Sequence, residues 1–335
     1  MIKLKTKNYN ILIADNLINN FDELIKKSYH KDKIFIITDQ NVFNLYEKKI
    51  TKSLPSFKLY FHVLKPGETS KSFLNYQETI NSLINKGIKK DHLIIGFGGG
   101  VVGDLAGFIA GTLYRGINFI QIPTSLLAVV DSSIGSKTGI DLELGKNLVG
   151  VYKDPKVVLI DPLFLNTLST KEYNNGLAEV IKMALIRDKT LFNNIKDKNK
   201  LTIDDIVRTI NIKRKIVRKD PFEKNLRMLL NFGHTFGHAI ELESNFNVKH
   251  GVAISYGMLI SIEEGIKRGI TKHDIYDEVK DLLIKHNLVK EPLLSKDKYL
   301  KYLKHDKKNL SSGLNFVFIK EIGKSLIKSG VIFND

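Results

Sequence analysis

Residues 93–116 read LIIGFGGGVVGDLAGFIAGTLYRG, and the way this stretch divides decides the fold. Leu93 to Tyr114 is apolar over about the length of a bilayer span, but it carries Asp104 and seven glycines. A buried strand over Leu93–Phe97, a glycine turn and then a helix account for it better. Apolar runs without alternation mark parallel strands covered on both faces. Ile34–Thr38, Phe119–Ile122 and Val157–Ile160 have that same character. Helical patterns at Val42–Ile50 and Phe73–Lys86 separate the first of these strands. The alternation predicts an open, doubly wound, Rossmann-like α/β domain.

After Asp161-Pro162 the pattern changes. Segments 176–195, 202–218, 235–245, 252–268 and 274–286 read as helices, and strand signals are few until Phe316–Ile319. The expected organisation is an α/β domain over 1–165 and a mainly α-helical domain over 166–335.

Composition narrows the chemistry. The 335 residues include 52 Lys and Arg against 36 Asp and Glu, a formal net charge of +16, with no Cys and no Trp. Lack of Cys excludes disulfide scaffolds, thiolate metal sites and Cys nucleophiles, so any metal must be held by His and carboxylate. The basic balance invites a polyanionic partner. However, only seven of the cations are Arg, and the Lys residues are scattered among Asn and Ile, whereas nucleic-acid surfaces also lean on Arg forks. Neither nucleic acid nor membrane is therefore expected as a partner. Met1–Asn10 alternates apolar and charged residues like a strand, not a signal-peptide core, and the expected location is cytoplasmic.

Four clusters carry chemistry. Gly98–Gly103 fits GxGxxG after a strand and at the opening of a helix, where backbone N–H groups meet a pyrophosphate; the alternative is a tight turn with close helix packing. The acid expected on the following strand is missing, and Asp39 ends an earlier strand instead. Pro66–Lys71 is a second polar turn, either a contact to the same ligand or an N-capped surface turn. In the second cluster, His234 and His238 lie at i and i+4, a spacing suited to a divalent metal, and His250 is the natural third ligand. Continued upstream, a helix would align Glu223, Arg227, Asn231, His234 and His238 in one stripe. The third cluster is Glu179 and Lys182, three apart on an apolar helix. They form either an ion pair or, through Glu179, the carboxylate of a His, His, Glu site with an open position. The fourth, Asp131–Gly139 with Gly145-Lys146-Asn147, fails the phosphate-loop spacing and reads as an irregular polar segment for a hydroxylated anion.

In order and spacing these clusters resemble 3-dehydroquinate synthase, a family of sugar-phosphate cyclases. GGGVVGDLAGFIAGTLYRG at 98–116, VDSSIGSKTGID at 130–141, GLAEVIK at 176–182 and LNFGHTFGHAIE at 230–241 carry the likeness. The resemblance implies a catalytic zinc, with cobalt as the alternative, on Glu179, His234 and His250. His238 then becomes a proton-transfer group, with Glu223 as the other, and Lys182 is a further catalytic residue. It implies NAD held by Asp39, Asn41, Glu68, Thr69, Ser70, Lys71, Gly99, Gly100, Val101, Asp104, Thr124, Ser125, Lys146, Phe164, Leu165, Asn166 and Thr167. A small anionic sugar phosphate would meet Arg115, Asp131, Lys137, Asn147, Lys182, Lys213, Arg227 and Asn231, with Lys307 or Lys308 in addition. The implied reaction takes 3-deoxy-D-arabino-heptulosonate 7-phosphate to 3-dehydroquinate through transient oxidation, phosphate elimination, reduction and intramolecular aldol closure, in a homodimer. Three positions depart from the family pattern: Ser125 for Thr, Ser136 for Gly and Asn225 for Gly, the last being mild if φ there is positive. The rivals are a metal-dependent polyol dehydrogenase, another sugar-phosphate cyclase and a basic nucleic-acid-binding protein.

Overall fold

The apolar runs become strands because both of their faces are covered. In the computed structural model, which describes residues 1–143, 145–245, 247–291 and 313–333, the chain divides into Met1–Leu168 and Ser169–Asp335. The division falls slightly C-terminal of the expected 165/166.

The first unit contains β1 (Ile2–Lys5), β2 (Asn10–Ile13), α1 (Phe21–Lys26), β3 (Lys33–Asp39), α2 (Gln40–Ser53), β4 (Lys58–Leu64) and α3 (Phe73–Asn85). There follow β5 (Leu93–Gly98), α4 (Gly100–Thr112), β6 (Asn118–Pro123), β7 (Lys137–Leu142), β8 (Gly145–Tyr152) and β9 (Val157–Ile160). Seven strands form one sheet in the order β1-β2-β9-β6-β5-β3-β4, antiparallel at β1–β2 and parallel elsewhere. Alternate residues enter separate cores. Ile34, Ile36, Ile95 and Phe97 pack with Phe21, Ile25, Tyr46 and Ile50 of α1 and α2. Phe35, Ile37 and Ile94 pack with Leu83 of α3 and with Val102, Leu105 and Ile109 of α4. Two apolar faces at period two give an unbroken apolar run. Close approach of α4 depends on glycine: a Cβ at Gly103 would stand 2.4 Å from Gln121 Nε2 on β6.

The strand order explains the displaced acid. From β3 the chain passes through α2 to the edge strand β4, whereas from β5 it passes through α4 to β6 on the other side. Connections that diverge from neighbouring strands leave a crevice at their carboxyl ends. Thr38 is in register with Phe97, so Asp39 and the Gly98-Gly99 turn end adjacent strands.

The 131–147 segment is not irregular throughout. Ala128–Ser132 is a single π-helical turn, and β7 and β8 form an antiparallel ribbon. Asp161, fully buried, fixes the last segment of the unit by accepting from the backbone N–H of Asn16 (3.1 Å), Ile18 (3.0 Å) and Leu163 (3.0 Å). Leaving buried donors unpaired costs about 1–3 kcal/mol apiece. Asp161→Ala is therefore expected to cost about 3 kcal/mol or more, read as a lowered urea midpoint, and Asp161→Asn less. An unchanged midpoint in Asp161→Ala would contradict this role.

The second unit holds α5 (Thr170–Arg187), α6 (Lys189–Asp197), α7 (Ile203–Lys219), α8 (His234–Glu243), α9 (His250–Lys267), α10 (Ile275–Lys285) and the hairpin β10 (Leu314–Glu321) and β11 (Lys324–Val331). Every residue of α5 from Gly176 to Ile186 is buried, as expected of a helix apolar on all sides. The single helix expected over 176–195 is broken at Asp188, whose carboxylate caps α6 through Leu191 N at 3.0 Å.

The upstream stripe is also corrected. Glu223 has φ 57°, Leu226–Asn231 is a 3₁₀ helix, and Gly233 has φ 78°, so the helix bearing the histidines begins at His234. Among the described residues no helix is long and apolar enough to cross a membrane.

Candidate metal centre and nucleotide-binding edge

Glu179 projects from the middle of buried α5, while His234 and His250 are the first residues of α8 and α9. One donor atom from each converges, all within 4.8 Å of one another. Glu179 Oε1 lies 3.2 Å from His250 Nε2 and 3.4 Å from His234 Nε2. Ligands about 2.1 Å from a tetrahedral ion stand about 3.4 Å apart, so both spacings fit a zinc-sized cation. The donor set of one carboxylate and two imidazoles is that of a catalytic site with an open position. His238 is exposed, its ring centroid 5.4 Å from that of His234, and it stands outside the convergent group. The i, i+4 spacing alone would have chosen it.

The ion pair expected of Glu179 and Lys182 is present, and it leaves the other carboxylate oxygen on the side of the imidazoles. The Lys182 ammonium pairs with Glu179 Oε2, which has no hydrogen bond of good geometry, while Oε1 faces the histidines. Burial alone would raise the Glu179 carboxyl, but Lys182 and the two imidazoles hold it well below the usual carboxylate range. Burial, then Lys182, lowers His234. Burial also opposes the charge on His250, yet Glu179 and Glu241 outweigh it and raise this imidazole to about 9.

Other expected residues of this unit surround a turn. Asp220 accepts from the N–H of Lys224, Asn225 and Arg227 at 3.0, 2.8 and 3.0 Å, folding the segment that carries Glu223. Asn231 Nδ2 donates to Glu223 Oε1 at 2.7 Å, so these two expected residues do meet. Arg227 is buried and donates to Pro221 O; Lys213 is buried on α7. Asn225 has φ −150°, so the left-handed conformation considered for it does not occur. Lys307 and Lys308 lie outside the described residues. Asp220 was missed as an organiser, although Asp followed by Pro221 and Glu223 is a turn signal.

In the first unit the expected nucleotide residues gather at the carboxyl edge of β3 and β5. Asp39 caps α2 through Asn41 N (2.9 Å) and Val42 N (3.1 Å). Gly99 caps α4 without any side-chain hydrogen bond, and first-turn N–H groups of a helix, here those of Gly100 and Val101, are the kind that an anion can satisfy. A Cβ on Gly99 would meet Ser125 Oγ at 3.4 Å, and Thr124 N donates to Gly98 O. Lys71 is buried, 2.6 Å from Asp104 and 3.9 Å from both Glu68 and Asp141, and it donates to Asn147. Burial opposes its charge, but Asp104 and Glu68 prevail and raise it; burial raises Glu68. Thr69 is exposed nearby, whereas the Ser70 hydroxyl is turned inward to Lys65 O. Asp141, not anticipated, accepts from Asn147 N at 2.7 Å and fixes the ribbon turn.

Some expected residues have other duties or stand apart. Phe164 is a core side chain packed on Tyr46 and Phe97, and the Thr167 hydroxyl is turned to Tyr46 at 2.8 Å and Phe164 O at 3.2 Å; Asn166 and Thr167 are the exposed residues of this turn. Arg115 follows the C-terminus of α4, a helix about 20 Å long whose other end is at Gly99. Asp131 lies in the π-helical turn, and Lys137 and Lys146 on the ribbon strands. Ser136 has φ 62°, so the family's usual Gly is explained by conformation. Its hydroxyl bonds Asp154.

A glycine turn at the switch point of a parallel sheet and, in the other unit, a buried carboxylate with two imidazoles define a class: α/β enzymes of nucleotide and metal chemistry. Family models for the N-terminal and C-terminal parts of 3-dehydroquinate synthase match residues 61–175 and 176–309. A 3-dehydroquinate synthase from Clostridium botulinum is 46% identical, with 98% of this chain and 97% of that protein covered. The chain belongs to the 3-dehydroquinate synthase family. Among solved structures, the 2-epi-5-epi-valiolone synthase of Streptomyces hygroscopicus with NAD+ and Zn2+ bound is 25% identical at TM-score 0.87, covering 99% of this chain and 95% of that one. A 2-deoxy-scyllo-inosose synthase complexed with carbaglucose-6-phosphate, NAD+ and Co2+ shares the fold at TM-score 0.85 and 24% identity, over 98% and 96% of the two chains.

Proposed function

We propose that this chain converts 3-deoxy-D-arabino-heptulosonate 7-phosphate to 3-dehydroquinate and phosphate, as a lyase using NAD and a divalent cation catalytically. The observation that carries this reading is the convergence of Glu179, His234 and His250 donor atoms within 4.8 Å, in a chain 46% identical to a 3-dehydroquinate synthase. When bound, NAD supplies a reversible hydride acceptor, and zinc or cobalt supplies a Lewis acid that polarises a hydroxyl or ketone oxygen. The cation belongs to Glu179, His234 and His250; NAD belongs to the Asp39, Glu68–Lys71, Gly99–Val101, Asp104 and Thr124-Ser125 edge, with Lys146 and the Phe164–Thr167 turn.

The remaining roles follow from chemistry and burial. Lys182, Lys213 and Arg227 are cations held in low-exposure positions, suited to a carboxylate and phosphate stripped of water. Asn231 fixes the Glu223 carboxylate, and His238 stands in solvent beside His234; these two are the proposed proton-transfer groups, worth typically about 10² to 10⁴ in rate. Arg115, Asp131, Lys137 and Asn147 complete the proposed substrate contacts. Homodimeric assembly and a cytoplasmic location belong to the same reading.

The test is a single reaction of purified protein with NAD, Zn²⁺ and the heptulosonate phosphate. Phosphate and 3-dehydroquinate are expected in equal amounts, with no net NADH. Phosphate with a different carbocycle would indicate another cyclase, NADH in proportion to product a dehydrogenase, and neither product from metal-loaded protein would sink the proposal.

A further inference from the structure

An imidazole that binds a cation through one nitrogen needs its other nitrogen fixed, or the ring turns and the lone pair is lost. For His234 the fixing group is backbone: Nδ1 lies 3.2 Å from Phe232 O, leaving Nε2 toward Glu179. At the Nδ1 of His250 the neighbour among the described residues is instead the Glu241 carboxylate, with Oε2 at 3.6 Å.

Glu241 is 3% exposed, an expensive position for a carboxylate without cationic or donor neighbours. It stands seven residues after His234 on α8, hence on the same helix face. The residues on either side of His250 are held by a stripe on α5. Glu172 pairs with Lys249, Asn175 Oδ1 accepts from Gly251 N at 2.6 Å, and Glu179 meets the ring itself. With the main chain clamped by α5, the freedom left to His250 is ring rotation, and Glu241 is placed to remove it.

We infer that Glu241 is a positioning residue of the metal centre, holding the His250 imidazole through Nδ1 so that Nε2 is directed at the cation beside Glu179. This rests on the metal reading above. It assigns Glu241 no contact with substrate or cofactor.

The test uses metal-free full-length protein titrated with Zn²⁺ against a chromophoric chelator, the visible spectrum after Co²⁺ loading, and melting of the metal-free form. Glu241→Gln keeps size and shape but loses the charge; Glu241→Ala removes the group. Loss of an outer-shell partner typically costs about 10- to 100-fold in metal affinity. Glu241→Gln is expected to bind zinc about tenfold more weakly, Glu241→Ala nearer a hundredfold, both with an altered cobalt spectrum, while metal-free Glu241→Gln melts as the wild type does. If Glu241→Ala does not fold, Glu241→Gln decides alone. Unchanged zinc affinity and cobalt spectrum in Glu241→Gln, or weakening matched by a lower metal-free melting temperature, would overturn the inference. Wild-type protein that takes up neither zinc nor cobalt would overturn the metal reading itself.

Discussion

His250→Ala is expected to lose zinc and turnover together, whereas His238→Ala keeps a full equivalent of zinc and loses about 10² to 10⁴ in rate. His250 supplies one of three convergent donors, 3.2 Å from Glu179 Oε1. Apparent zinc-binding energies of about 10–16 kcal/mol over four ligands amount to roughly 3 kcal/mol per ligand, more than a hundredfold in affinity. Removing that donor also leaves the buried Glu179 carboxylate with fewer partners. His238 lies on the same helix but outside the donor group, exposed beside His234, so its truncation leaves the donor atoms in place. Zinc content after equilibrium dialysis, together with phosphate release, measures both effects. The opposite pattern, zinc lost with His238 and kept without His250, would replace the ligand set with the pair read from helical spacing.

That contrast shows how the site became legible. Spacing along one helix identifies His234 and His238 as neighbours, and they are, yet a cation takes its ligands from wherever helices converge. Glu179 and His250 are 71 residues apart; residue chemistry offered both as ligands alongside His234 and His238, and the family likeness decided which two histidines accompany Glu179. The stripe from Glu223 to His238 failed for a local reason: Gly233 at φ 78° ends any helix arriving from upstream, although steps of three and four residues persist across the break. Glu241 was not singled out in the sequence, although it lies seven residues after His234, because nothing in α8 alone says which residue of α9 it will meet.

The α/β half was more readable because burial on both sides of β3, β5, β6 and β9 leaves continuous apolar runs. Strands at the margins lack that signature. β4 (KLYFHVL) forms the sheet edge and is mostly half-buried. The β7–β8 ribbon mixes glycine with lysine and lies outside the main sheet, so it reads as a loop. Asp39 was noticed as an oddity because sequence order hid the adjacency of β3 and β5. Ser136 was recognised as a departure, and its left-handed backbone supplies the physical reason that the position favours glycine.

Gly257→Ala is expected to damage the metal centre although Gly257 is not one of its donors. A Cβ at Gly257 on α9 would stand 2.0 Å from Gly233 O and 2.8 Å from Gly237 N. Both are backbone atoms at the start of α8, so no rotamer change relieves the clash. The Gly233 side is equally closed, since a Cβ there would lie 2.6 Å from Met258 Cγ and 2.9 Å from Ile254 O, at a positive φ. The helices must therefore separate, at a cost of about 3 kcal/mol or more. His234 and His250 open these same two helices, and donors set about 3.4 Å apart for a tetrahedral ion do not tolerate a shift of an ångström. The metal-free variant is expected to show a lowered urea midpoint, and its folded fraction to take up zinc at least tenfold more weakly. Gly269→Ala is the control: φ is 66° with nothing within 4 Å of the added carbon, so it pays only backbone strain of about 1 kcal/mol and keeps zinc. Equal stability and equal zinc affinity in Gly257→Ala and the wild type would show that the α8–α9 crossing does not set the donor geometry.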